Sequence, residues 1–141
     1  MADLALLANT AATLFMTGLI WFVQVVHYPL FARVGESGFA AYEQGHARLT
    51  TFVVGPVMVI EAVAAAALLL LAPSHVIYLS AFLLLVIWLS TALLQVPQHN
   101  LLALGFDAGA HQFLVRTNWI RTVAWTLRSV LGLYLLSMQR T

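Results

Sequence analysis

Six side chains able to ligate a metal fall into two matching sets: His27, Glu43 and His46, then His99, Asp107 and His111. Each set holds two imidazoles and one carboxylate, donors suited to Fe, Mn, Zn or Cu. Glu43 and His46 are spaced Glu-x-x-His, which on a helix turns both to one face, as in carboxylate-bridged two-metal bundles. With neighbouring helix axes about 8 to 10 Å apart, imidazoles at four helix ends can converge on one or two ions. The chain contains no cysteine, which excludes thiolate sites, iron–sulfur clusters, disulfides and Cys nucleophiles. Haem b is the alternative cofactor, with His27 and His99 as axial ligands and Arg121 or Arg128 meeting the propionates. The fifth histidine, His75, reads as a surface residue.

Both sets lie in similar stretches. Residues 24–46 read QVVHYPLFARVGESGFAAYEQGH and residues 95–111 read QVPQHNLLALGFDAGAH. Each has a Gln, a His three or four residues on, a Pro, a Gly-Phe pair, then a carboxylate and a second His. A plainer reading stays open, in which these His and Gln side chains cap helix ends at the membrane surface and Arg33, Arg48 and Arg116 meet lipid phosphate.

The elements that must position these residues are four apolar segments, 4–26, 50–72, 76–96 and 114–137. Each is close to the ~20 residues that cross a bilayer core as a helix. Hydrophobic residues make up 62% of the chain and charged residues 8%, against roughly a quarter charged in soluble domains. The expected fold is all-α: an integral membrane four-helix bundle, one domain over 1–141, built from two pseudo-symmetric helical hairpins. Pro29 and Pro97 are expected to end the first and third spans. The long connections 28–49 and 97–113 then share one face, opposite both termini and the short turn Pro73-Ser74-His75. Asp3 is the only early charge and the apolar run continues to residue 26, which reads as a retained span rather than a signal peptide.

Arg33, Arg48 and Arg116 on the histidine face, against Arg140 on the other, point that face to the cytoplasm of a bacterial inner membrane crossed several times. Six Arg and no Lys against five acids give a net charge of +1. That is too little for a nucleic-acid-binding surface.

Helical spacing gathers polar residues into stripes. Asn9, Thr13, Thr17, Gln24 and His27 share a face of the first span, and Trp88, Thr91, Gln95 and His99 one of the third. Thr51, Met58 and Glu61 align in the second, and His111, Asn118, Arg121, Trp125 and Arg128 in the fourth. Threonines at such positions act as interhelical glue worth about 1 kcal/mol each. A mid-bilayer charge costs roughly 2.5 to 3.5 kcal/mol, so Glu61 and Arg128 are expected to meet near the midplane. The stripes predict a polar pocket in which Gln24, Gln95 and Asn118 bind a ligand and Glu61, Arg121 and Arg128 serve catalysis.

At HYPLF, GFAAYEQGH and GFDAGAHQFLVRTNWIRT the chain resembles a family of small, uncharacterised four-helix bacterial membrane proteins. This likeness covers most of the chain and implies no activity. In size, span count and a His near the end of the first span it is also similar, more distantly, to anthrone-oxygenase-like membrane proteins, which act on polycyclic phenols. That likeness assigns no residue a role. Residues and resemblance together lead to the expectation of a membrane oxidoreductase or oxygenase-like protein with a metal at one face and a pocket for an anionic or quinone-like molecule. The alternative is a binding or transport protein, which at this size implies a homodimer. With D3C, H75C and D107C variants, a membrane-impermeant thiol reagent should label positions 3 and 75 from one side and 107 from the other. Labelling of 75 and 107 from the same side would refute this topology.

Overall fold

The computed structural model describes residues 1–139. Arg140, used above for orientation, lies outside the described residues. Four helices follow one another: α1 (Ala2–Arg33), α2 (Glu36–Leu71), α3 (His75–Leu102) and α4 (Ala108–Met138). The chain is all-helical, and α1, α2 and α3 are long and apolar enough to cross a membrane. The fourth, 31 residues long, carries Arg116, Arg121 and Arg128 and falls short on composition.

The helices close a ring in which α1 packs on α2 and α4, α4 on α3, and α3 more loosely on α2. Gln139 Nε2 donates to Asp3 Oδ1 at 2.9 Å, joining the two chain ends. At that end Ser74 caps α3 by accepting from the Ile77 N–H. His27, His46, His99 and His111 gather at the opposite end around Phe31 and Phe39, which are fully buried.

The helices run well past the expected spans. Most of 28–49 and 97–113, expected as connections, is helix, and the links shrink to Val34 and Gly35 and to the turn before Asp107. Nor do Pro29 and Pro97 end their helices. Each lies just after a π-helical turn, Val23–His27 or Thr91–Gln95. In these turns the Tyr28 N–H reaches back five residues to Val23 O, and the Val96 N–H to Thr91 O. The widened turn accommodates the proline ring one step later, so the helix goes on. At ~1.5 Å per residue α2 is about 54 Å long, well beyond a hydrocarbon core of about 30 Å. Gly105, at φ +150°, makes the α3–α4 turn in a conformation that side chains rarely adopt.

The π turns also rotate the inward faces. A turn holding one extra residue puts buried positions five apart, Val23 and Tyr28 on α1 and Ser90 and Gln95 on α3. Tyr28 therefore points inward, where the regular spacing from Gln24 had placed His27. Trp88, expected in the α3 stripe, is exposed on the outer surface, and Ile87 is buried instead.

Deep in the bundle Arg128 Nη1 meets Glu61 Oε1 at 2.6 Å, with both side chains wholly buried. Each lies roughly 15 Å from the same end of the bundle, measured to Leu71 and Met138. Glu61 also accepts from Thr13 Oγ1 at 2.6 Å and from Trp125 Nε1 at 3.0 Å. Arg128 donates to Asn9 Oδ1 and to Ser80 Oγ, both at 3.3 Å. The pair thus engages all four helices. Beside it α1 and α4 pass so closely that a Cβ on Gly132 would stand 2.8 Å from Thr10 Oγ1. Glu61→Gln or Arg128→Met alone should cost about 3 to 5 kcal/mol of stability, because the remaining charge is stranded. The double variant should lose much less than the sum in thermal unfolding in detergent. Additive losses would show that the two side chains do not act as a pair.

Candidate metal centre

At the histidine end, Glu43 and His46 from α2 and His99 from α3 bring one ligand atom each to within 4.8 Å of one another. The Glu-x-x-His spacing works as expected because residues 43–46 lie inside α2, Gly45 notwithstanding. Glu43 is fully buried, and its Oε1 receives His99 Nδ1 at 2.5 Å. Its Oε2 has no hydrogen-bond partner. A buried carboxylate oxygen without a donor is costly. It presents a lone pair where a cation would be held.

His46 lies beside His27, whose Nε2 is 2.9 Å from His46 Nδ1, with Thr50 Oγ1 3.1 Å from the same nitrogen. This occupies Nδ1 and leaves Nε2 of His46 for an ion. His27 stands next to the cluster, in ring contact with His46 and Phe31. The last two expected ligands are engaged elsewhere. Asp107 is exposed and caps α4, accepting from the Ala110 N–H at 2.7 Å. Aspartate ahead of a helix satisfies one of its free N–H groups. His111 lies 2.8 Å from the Tyr28 carbonyl through Nε2, which must be the donor, and it stacks on Phe31.

His99 connects the cluster to the interior. Its Nε2 is 3.0 Å from Tyr28 Oη, and Arg121 Nη2 donates to the same oxygen at 3.2 Å. Arginine can only donate, so the Tyr28 hydroxyl is free to donate to His99 Nε2. His99 then carries its proton on Nδ1 and donates to Glu43. One chain of donors therefore runs Arg121, Tyr28, His99, Glu43, able to pass a proton from the phenol toward the carboxylate. Tyr28 is not among the site residues expected from the sequence, although its place four residues after Gln24 is an ordinary helical spacing that could have found it.

The residues expected to line a polar pocket divide in two. Arg121 and Gln95 border an inner cavity of about 260 Å3, together with Tyr28, His46, His99 and Trp125. Gln24 and Asn118 form the layer behind: Asn118 Nδ2 donates to Gln24 Oε1 at 2.8 Å, and Asn118 Oδ1 accepts from Arg121 Nε at 3.0 Å. They orient the guanidinium rather than face the cavity. Glu61 and Arg128 saturate each other away from it.

Comparison with protein-family models, curated proteins and solved structures finds no match to the chain.

The donor chain predicts opposite tautomers in the metal-free protein. With 15N-labelled histidine, His99 should be protonated at Nδ1 and His111 at Nε2. Tyr28→Phe should release the His99 preference and cost about 1 to 3 kcal/mol in thermal stability, since a buried donor and acceptor lose their partner. An unchanged His99 tautomer would contradict the chain.

Proposed function

We propose that this is a multi-pass membrane oxidoreductase, oxygenase-like in character, whose metal is held by Glu43, His46 and His99. The observation that carries the reading is the orphaned, fully buried Glu43 Oε2 beside two imidazoles. Two His and one carboxylate make the donor set of non-haem Fe(II) oxygenases, which leave other positions open for oxygen and substrate. His46 and His99 border the inner cavity, so such positions have a space to open into. A bound ion would supply Lewis acidity and one-electron chemistry there. To face the ion, His99 would give up one of its two ring-nitrogen bonds, to Glu43 or to Tyr28, and the chain's own Arg121 would orient the substrate beside the Tyr28 hydroxyl. His46 is in ring contact with both His27 and His99, the axial pair expected for haem b, which leaves no slot between them for a macrocycle and favours a bare ion.

The substrate class that suits this site is a lipid-soluble, quinone-like or phenolic molecule. A second cavity, about 610 Å3 and lined mostly by apolar side chains of α1 and α2, gives access from the lipid side to His27 and His46. The likeness to anthrone-oxygenase-like proteins points the same way. In this reading all four helices cross a bacterial inner membrane, with α4 shielding Arg121 and Arg128 inside the ring and Arg33, Arg48 and Arg116 at the cytoplasmic surface. The two π turns, each shortly before a proline, support an origin by duplication of a helical hairpin.

Protein purified without chelator should contain about one transition-metal ion per chain by elemental analysis. Glu43→Gln and His99→Ala should lose it, while Asp107→Asn and His111→Ala should keep it. The loaded protein should consume oxygen with a short-chain quinol, giving quinone and hydrogen peroxide, and Glu43→Gln should not. Protein that holds no Fe, Mn, Cu or Zn and gains no thermal stability from any of them refutes the metal centre. A metal-loaded protein without redox turnover leaves a binding protein.

A further inference from the structure

Arg121 is buried, at 8% exposure, yet no carboxylate reaches it: among the described residues the arginine–carboxylate contact is that of Arg128 with Glu61. Its acceptors are all neutral. Nε and Nη2 donate to Asn118 Oδ1, Nη2 also to Tyr28 Oη at 3.2 Å, and Nη1 to Thr91 Oγ1 at a long 3.4 Å. A guanidinium has five N–H donors, and Nη1 is left with one weak bond. Seven residues along the same helix, Arg128 is neutralised by direct contact with Glu61. Two arginines of comparable burial thus receive opposite treatment, and the one without a direct counter-ion borders the cavity.

That cavity lies beside an outer cleft. The inner space of about 260 Å3 and the outer cleft of about 610 Å3 share Leu19, Val23, His46, Thr50 and Val54 as lining, so they are neighbours across one layer of side chains. The outer cleft is flanked by Phe22, Leu49 and Val53, all exposed on the lipid-facing side of α1 and α2. A cation inside, an apolar cleft outside and a thin layer of side chains between them are the parts of a site for a molecule with a charged head and a greasy tail.

We infer that Arg121 binds the compact anionic head, a carboxylate or phenolate, of an amphiphile whose apolar tail lies in the cleft between α1 and α2. The inference deepens the substrate side of the function proposed above but does not rest on the metal, because the guanidinium and both cavities are formed by the chain alone. The head would complete the donors of Nη1 and supply the missing negative charge, as planar two-point recognition of carboxylates by arginine does elsewhere. Its tail would exchange the bilayer for a cleft of the same polarity, so the head confers the preference. The head also lies on the side of the cavity bordered by His99 and Tyr28, within the donor chain.

The test compares decanoate with decan-1-ol, which differ in the head alone, by calorimetric titration of the full chain in neutral detergent after chelation. Wild type should bind one decanoate per chain at least tenfold more tightly than the alcohol. Arg121→Gln should erase that difference and Arg121→Lys should retain part of it. Glu43→Gln, which disables the metal centre, should keep the preference, so the two proposals fail separately. Val54→Trp, which narrows the passage without touching the charge, should weaken both ligands and serves where Arg121→Gln does not fold. Competition by phosphatidylglycerol would identify the surrounding bilayer as the source of the anion, and its absence a free amphiphile; either supports the site. Equal binding of acid and alcohol by wild type, an undiminished preference in Arg121→Gln, or unchanged decanoate binding by Val54→Trp overturns it.

Discussion

The Glu61–Arg128 contact holds the bundle in register. In a bilayer hydrophobic burial would not do this, because a lipid-facing helix would lose little on leaving an equally apolar neighbour. A charge buried without its partner loses far more. Asn9, Thr13, Ser80 and Trp125 fill the remaining hydrogen-bonding positions of the pair from the other helices and from α4 itself. A rotation or slide of one helix by a residue would break several of these bonds at once. The small residue Gly132 lets α1 and α4 approach closely enough to make them.

With the interior of the ring fixed in this way, the histidine end can carry polar groups left open, as at Glu43 Oε2. The two π turns lie between the ion pair and the histidines and turn the inward face of α1 and of α3 by one residue. Tyr28 is brought between Arg121 and His99, and Gln95 is brought to Ser90 Oγ and Thr117 Oγ1. The irregular turns are therefore what convert a set of regular polar stripes into a connected site.

The stripes themselves were legible, because they obey the helical period and because a buried charge demands a partner at its own depth. Glu61 and Arg128 could be paired from their distances to the helix ends alone. The helix bounds were not legible: prolines that ordinarily stop a helix are admitted by π turns, and nothing in the local composition announces such a turn. Asp107 shows a different failure. Its spacing matched a ligand set, but the small residues Ala108, Gly109 and Ala110 that follow it also fit a capped helix start, and the backbone N–H groups there are the nearer demand. His111 was drawn off in the same way by the Tyr28 carbonyl. Glu43, His46 and His99 remain together, and among the described residues the hydrogen-bond partner of the Glu43 carboxylate is His99 itself.

Charge along the interior then links the candidate metal centre to the cavity. Glu61 and Arg128 cancel in direct contact. Glu43 and Arg121 also carry opposite charges, but Tyr28 and His99 stand between them, so the field at each is only partly offset by the other. A divalent ion on Glu43 would draw the carboxylate's charge to itself and leave Arg121 in excess. An anion in the inner cavity would restore the balance, and by linkage each would tighten the binding of the other. A catalyst that acts on an acidic amphiphile gains from that coupling, since the metal is held most firmly when the substrate head is in place. Arg121 is fixed by neutral Asn118 and Tyr28 rather than by an acid; under the proposed binding of an anion, a carboxylate there would satisfy the guanidinium permanently and leave no reason for a ligand to enter.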